Sequence, residues 1–259
     1  MVAELAPAAL HGLGGFREWQ LRRVLKEAYF DLRAALEREG HDADRGAVRR
    51  HMSRNLTSVQ AGCGNRELRI GHQQVMQCWE RPYMAAMAEV IGGTGGDVLE
   101  VGFGMGILAT LIQERGVRSH TIIECHPDVL TSCTQWSAQY AGRAIRIVAG
   151  RWQDVIGSLG SFDAIAFDAY PLDESEWTAH YVDDVTYARH FFATASAHVR
   201  PGGVFTYYSN ECDSLSRSHQ RALLEHFSKV SIGRTDGLSP PADCHYWQSD
   251  SMVVIAAVK

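Results

Sequence analysis

The run Asp97-Val98-Leu99-Glu100-Val101-Gly102-Phe103-Gly104-Met105-Gly106 joins a short apolar strand to glycines at alternate positions and then to a helical pattern. Glycines let the backbone turn sharply, and their missing Cβ atoms let a flat or extended ligand lie against the chain. Such a run, placed between an apolar strand and a helix, is the turn of a βα unit at the ligand-binding edge of an open sheet.

The sequence that follows agrees. Short apolar segments alternate with helical ones, which argues for βαβ units around a mostly parallel sheet. Strands are expected at Asp97–Val101, Thr121–Cys125, Ile145–Ala149, Phe162–Phe167, Val204–Tyr208, Val230–Arg234 and Met252–Val258, with helices starting near Met105, Pro127, Gln153, Val185 and Ser214. The connection from Arg234 to Ser251 is rich in Pro, Gly, Asp and Ser and has no helical period, so the last two strands should pair antiparallel. The fold class is α/β, a Rossmann-like seven-stranded sheet with its last strand antiparallel.

Ahead of this lies a different pattern. Trp19, Val24, Leu25, Tyr29, Leu32, Ala35 and Leu36 recur at helical spacing from Phe16 to Glu39, and Gly40 follows as a stop. The basic run Arg45 to Arg54 reads as a second, weaker helix, and Ala61-Gly62-Cys63-Gly64-Asn65 as a breaker. A boundary near Gly71 separates an N-terminal helical extension, residues 1–70, from a sheet domain, residues 71–259. The extension is a lid, a homodimer contact, or extra helices packed on the sheet.

Composition narrows the partners. A net charge of −5 gives no general attraction for nucleic acid or anionic lipid, so a small molecule is expected. No apolar stretch approaches the ~20 residues of a membrane span, and the Met1 region lacks the features of a signal peptide, so a cytoplasmic protein is expected. The six cysteines form no C-x-x-C pair and the twelve histidines show no metal-ligand spacing, so no metal site is expected. His245 could line a pocket, although a structural role is favoured.

Glu124 closes the second strand about 20 residues after Gly104, where a carboxylate can accept hydrogen bonds from both hydroxyls of a ribose. That spacing suits NAD and S-adenosylmethionine alike. The glycines run G-x-G-x-G, however, and Glu100 would repel a pyrophosphate while welcoming the amino group of a sulfonium cofactor. After the third strand, Trp152 offers a stacking face and Gln153 an amide able to pair with an adenine edge; Trp152 as a core residue is an equal alternative.

The segments Val75-Met76 with Trp79-Glu80-Arg81-Pro82-Tyr83-Met84, Val98 to Met105, Ile122 to Cys125, Gly150 with Trp152 and Asp154, Phe167-Asp168-Ala169-Tyr170-Pro171-Leu172, Pro201-Gly202-Gly203 and Pro240-Pro241-Ala242-Asp243-Cys244 resemble guanidinoacetate N-methyltransferase and its arginine-methylating relatives. The resemblance implies the class I S-adenosylmethionine-dependent fold, methyl transfer to a guanidine nitrogen with S-adenosyl-L-homocysteine as product, and catalytic carboxylates at Glu80 and Asp168. It places Gly102, Gly104, Gly106, Glu100, Glu124, Trp152, Gln153, Met84 and Asp168 around the cofactor. Tyr83 and Tyr170 stand beside the carboxylates as walls of the substrate pocket.

The two carboxylates make chemical sense without the family. A guanidinium is planar and cationic, with N–H donors that match carboxylates two at a time. It is also a poor nucleophile until a proton leaves, so Asp168 is expected to accept that proton and Glu80 to orient the group.

Three departures stand out. The N-terminal ~70 residues have no evident counterpart in the guanidinoacetate enzyme. Gln153 replaces an acidic residue common in the family. The loop Tyr207-Tyr208-Ser209-Asn210-Glu211-Cys212-Asp213 is acidic where the guanidinoacetate enzymes are neutral. Asn210 and Glu211 occupy the positions whose backbone receives the substrate carboxylate in that family. Glu211 or Asp213 is therefore expected to recognise an α-ammonium, which free L-arginine carries and guanidinoacetate lacks. The chain is also similar to free-arginine methyltransferases of bacterial specialised metabolism, of the streptozotocin-forming kind. Guanidinoacetate methylation is the second expectation, and a non-catalytic methyltransferase-like binding module a remote third.

Overall fold

A computed structural model of the chain describes residues 67–70, 73–182, 184–244 and 246–259; the expected helices at 16–39 and 45–54, the breaker at 61–65 and His245 lie outside the described residues.

The described chain begins with a hairpin, β1 (Glu67–Ile70) and β2 (Gln73–Gln77), which straddles the boundary expected near Gly71. Leu68 and Met76 face each other across it and are buried in the core. Polar side chains add to this: Glu67 accepts from Arg69 Nε at 2.7 Å, Gln74 Nε2 at 3.2 Å and Gln77 Nε2 at 3.3 Å. A 3₁₀ turn, Cys78–Glu80, then leads into the helix Arg81–Gly92.

The main sheet contains β3 (Asp97–Val101), β4 (Ser119–Glu124), β5 (Ile145–Ala149), β6 (Phe162–Phe167), β7 (Val199–Tyr207), β8 (Lys229–Asp236) and β9 (Ser251–Val258), in the spatial order β5-β4-β3-β6-β7-β9-β8. The pairs β3–β4, β3–β6, β4–β5 and β6–β7 are parallel, and β9 runs antiparallel to both β7 and β8. The seven-stranded sheet with its antiparallel last strand is thus the one expected. β7 starts earlier than the apolar run, at Val199, because Pro201-Gly202-Gly203 continues the strand: Gly202 N donates to Lys259 O at 3.1 Å and Lys259 N to Gly203 O at 3.2 Å.

Central strands are apolar throughout because both faces are covered. Val98, Ile122, Ala164 and Ala166 pack into a core shared with Met84, Met87 and Ile91 of the first helix and Leu108 and Ile112 of helix Ile107–Glu114. Leu99, Val101, Ile165 and Phe167 face the opposite layer, with Phe192 and Ala195 of helix Phe192–His198 and Leu223 of helix Arg217–Leu224.

A charged clamp closes the starting ends of β3 and β6. Asp97 accepts from Arg118 Nε at 2.8 Å, Arg118 Nη2 at 2.7 Å and Ser119 Oγ at 2.8 Å. Asp163 accepts from Arg200 Nη1 at 2.6 Å, Arg118 Nη2 at 3.0 Å and Asp97 N at 2.7 Å. These bonds, with Arg118 first, hold the Asp97 carboxyl far below the ordinary carboxylate range. No helix among the described residues is long and apolar enough to cross a membrane.

Candidate active site

At the opposite end, the finishing ends of β3, β6 and β7 open onto a cleft. Glu80, Gly104, Asp168, Tyr170 and Asn210, all expected at the site, line it, together with Val75, Met76, Phe167, Ala169, Pro171, Tyr187, Tyr208 and Tyr246.

Local structure fixes both carboxylates. Glu80 ends the 3₁₀ turn, and its Oε1 reaches back to accept from Gln77 N at 2.7 Å, as the third residue of a helical start commonly does. Tyr246 donates to the same oxygen at 2.5 Å. Only 2% of Glu80 is exposed. Asp168 follows the last residue of β6, and its N–H extends the parallel ladder by donating to Val101 O at 2.9 Å. Burial, with the charge of Asp168 adding to it, raises Glu80 to about 8. Burial, with Glu100 adding to it, raises half-buried Asp168 to about 7. Among the described residues the lining contains no lysine or arginine to neutralise the pair.

The glycine loop forms the adjoining wall. Gly102 has φ 93°, and a Cβ there would lie 2.2 Å from Asp168 O; Gly104 has φ 54°, and its Cβ would meet Met76 Sδ at 2.8 Å. Gly106, with φ 71°, starts helix Ile107–Glu114. Glu124 braces the loop: its Oε2 accepts from Phe103 N at 3.0 Å, and its Oε1 from Cys125 N at 2.7 Å and His126 N at 2.8 Å. A bare backbone wall with a carboxylate at the end of the neighbouring strand fits S-adenosylmethionine, Glu124 being the group to hold its ribose hydroxyls.

Other expected residues lie elsewhere. Glu100 is fully buried; His120 Nε2 lies 2.9 Å from its Oε2, and Gln113 Nε2 lies 3.1 Å from His120 Nδ1. Burial pushes Glu100 well up and His120 down to about 3, so the imidazole is neutral at pH 7. Met84 is buried in the core under the sheet. Tyr83 is buried too: its hydroxyl lies 3.1 Å from both Tyr207 O and Val253 O and accepts from Ser209 N at 3.2 Å. Trp152 packs edge-on against Phe167 and Phe191. Gln153 donates through Nε2 to Glu176 Oε1 at 3.3 Å, and Glu176 Oε2 accepts from Leu172 N at 2.8 Å.

The acidic loop is arranged otherwise than expected for an α-ammonium site. Asn210 adopts φ 55° and lines the cleft, but neither Glu211 nor Asp213 does. Glu211 O accepts from Val253 N at 2.7 Å and its Oε1 lies 3.5 Å from His219 Nδ1. Asp213 meets Arg234 Nη1 at 3.4 Å and Ser251 Oγ at 3.3 Å. The left-handed turn at Asn210 carries the following residues toward β9 and helix Arg217–Leu224. Sequence reasoning in turn missed Tyr246 and Tyr187 as lining residues, since a lone tyrosine has no spacing rule that marks it, and it found Met76 only as part of a family segment without a role at the site.

The sequence pattern of guanidinoacetate N-methyltransferase matches residues 53–259. The chain belongs to that family. Membership makes it an S-adenosylmethionine-dependent methyltransferase in class, with S-adenosyl-L-methionine as cofactor. Among curated relatives, protein arginine N-methyltransferase 2 of Saccharomyces cerevisiae is 31% identical over 140 residues, covering 52% of this chain and 32% of that protein. Its Aspergillus oryzae namesake is 33% identical over 143 residues, covering 52% and 33%. The match thus spans about a third of these relatives. Thermotoga maritima spermidine synthase shares the fold at a TM-score of 0.52 and 14% identity, over 74% of this chain and 64% of that one. SMU.776, crystallised with SAH, matches at 0.52 and 12%, over 74% and 52%.

Proposed function

We propose that this protein methylates a guanidine nitrogen of a small molecule, free L-arginine first and guanidinoacetate second. The observation that carries this reading is that Glu80 and Asp168 share one cleft whose lining, among the described residues, holds no cationic side chain. Two carboxylates in a dry site repel each other and take up protons; a planar cation with N–H groups on several edges replaces those protons and satisfies both acceptors.

The cofactor supplies an electrophilic methyl group. Glu80, held by Gln77 N and Tyr246, keeps the guanidinium flat with its remaining oxygen. Asp168 accepts the proton that the attacked nitrogen loses as its bond to the methyl carbon forms, so the product leaves as a methylguanidinium and the carboxylic acid reloses its proton to water. Holding donor and acceptor together supplies the proximity contribution.

Arginine is favoured by charge. Guanidinoacetate carries a carboxylate a few atoms from its guanidinium, where it would face Glu80 and Asp168 in an acidic cleft. Arginine holds its carboxylate farther away and carries an extra ammonium. This argument replaces the one that relied on Glu211 and Asp213. The names of the protein-arginine-methylating relatives support an arginine side chain's guanidine as the chemical group, and a place in antibiotic biosynthesis is part of the same proposal.

A mass-spectrometric assay with S-adenosylmethionine and equal arginine and guanidinoacetate tests the reading. N-methyl-arginine should dominate. Dominant creatine would reverse the order of substrates, and methylation of neither would remove the function.

A further inference from the structure

Tyr208 belongs to the cleft wall but to none of the contacts described above. Its N–H donates to Phe167 O at 3.0 Å, which fixes its backbone beside Asp168. Its ring packs edge-on against Tyr83 at 5.3 Å and 73°, and Tyr83 is itself pinned at the ends of β7 and β9. The ring therefore has little freedom. Its buried hydroxyl lies close enough to Glu80 to favour the ionised carboxylate, yet it makes no bond of full hydrogen-bond geometry among the described residues, and its lone pairs are unclaimed. A buried polar group left unpaired destabilises a fold, and a rigidly held one at the wall of a binding cleft is matched to a ligand.

We propose that the Tyr208 hydroxyl is a third contact for the substrate's guanidinium, its oxygen accepting an N–H that Glu80 and Asp168 leave over. This rests on the guanidine reading above. A guanidinium offers five N–H groups, and two carboxylates take at most four in paired fashion. A neutral acceptor serves the remaining one without adding a third negative charge to an already acidic cleft. Burial, and then the charge of Glu80, keep the phenol protonated, so its own hydrogen is free to turn toward Glu80.

The test is Tyr208→Phe in the full chain. KM for L-arginine and for guanidinoacetate should rise about 5–30-fold, the loss of one hydrogen bond to a charged group, with kcat changed less than about threefold. Binding of S-adenosylhomocysteine, followed by tryptophan fluorescence, should stay within about twofold. Tm should change little, because the ring packing is kept and only a hydroxyl without a well-formed bond is lost. An unchanged KM overturns the proposal, as does a raised KM accompanied by an equal loss of S-adenosylhomocysteine affinity, which would show general disruption of the site. Calorimetric titration of arginine into S-adenosylhomocysteine-loaded protein separates the two levels. If wild type neither binds nor methylates a guanidine, the function fails and this contact with it; if wild type does and the variant does equally, only the contact fails.

Discussion

Tyr246 donates its phenolic hydrogen to Glu80 Oε1 at 2.5 Å, tying the loop ahead of the last strand to the turn ahead of the first helix. A second tie runs alongside, from Gln74 Nε2 to Asp243 O at 2.9 Å. With Oε1 occupied by Tyr246 and Gln77 N, Glu80 presents one aimed oxygen to a substrate. The bond also favours the ionised carboxylate. Tyr246→Phe should therefore raise the Glu80 pKa further and move the acid limb of the pH–rate profile to higher pH, with kcat/KM down roughly tenfold at neutral pH, about the loss of one charge-assisted bond. A profile that does not move would place Tyr246 outside the site's electrostatics.

The unmodified protein should itself respond to pH. A cation is gripped by ionised carboxylates, and Asp168 and Glu80 ionise near about 7 and about 8. Accordingly kcat/KM should climb from pH 6 to 9 and then level off. Stability should run the other way. Both groups are raised above their unfolded values, so their contribution is present at low pH and lost as pH rises through about 7 and 8. His120, pushed down to about 3 from 6.5, contributes a gain that is complete by 6.5. Between about pH 6.5 and 8.5 the Tm of the free protein should fall, which scanning calorimetry would register.

Replacing Asp168 by Asn removes the proton acceptor but keeps the shape. Turnover should drop by roughly 10²–10³-fold, the scale for one preorganised electrostatic group, while fluorescence titration finds S-adenosylhomocysteine affinity preserved. Full turnover would assign the proton to another group.

Glu124→Gln leaves one oxygen where two now accept three backbone N–H groups. Isothermal titration should show S-adenosylhomocysteine binding weakened by about 10–100-fold, in line with the loss of charge-assisted bonds.

Gly102→Ala puts a Cβ against the Asp168 carbonyl in a backbone conformation with φ 93°. The expected cost is about 1–3 kcal/mol, visible as a lower Tm, and the displaced Asp168 should lower kcat as well.

Much of this arrangement could be read before any coordinates. β3, β5 and β6 have the bounds expected of them because each is a short, mostly apolar run followed directly by glycine or aspartate. Asp168 follows such a strand, and Glu80 sits in a motif, so both were visible. The hairpin was not, because its strands are short and the glutamines around Val75 and Met76 hide the apolar signal that Leu68 and Met76 contribute to the core. Glu211 and Asp213 show the complementary failure: a linear sequence gives charge without direction. A single left-handed residue, Asn210, carries those charges away from the cleft and keeps the neighbouring tyrosine in it.

The Asp97, Arg118, Asp163 and Arg200 cluster lies at the end of the sheet remote from all this chemistry. Because the central strands are bolted together there, the connecting segments at the far rim are relieved of any duty to keep the frame in register. The segments that carry Glu80, Asn210 and Tyr246 take no part in that clamp, so a change of charge among them leaves the frame beneath untouched.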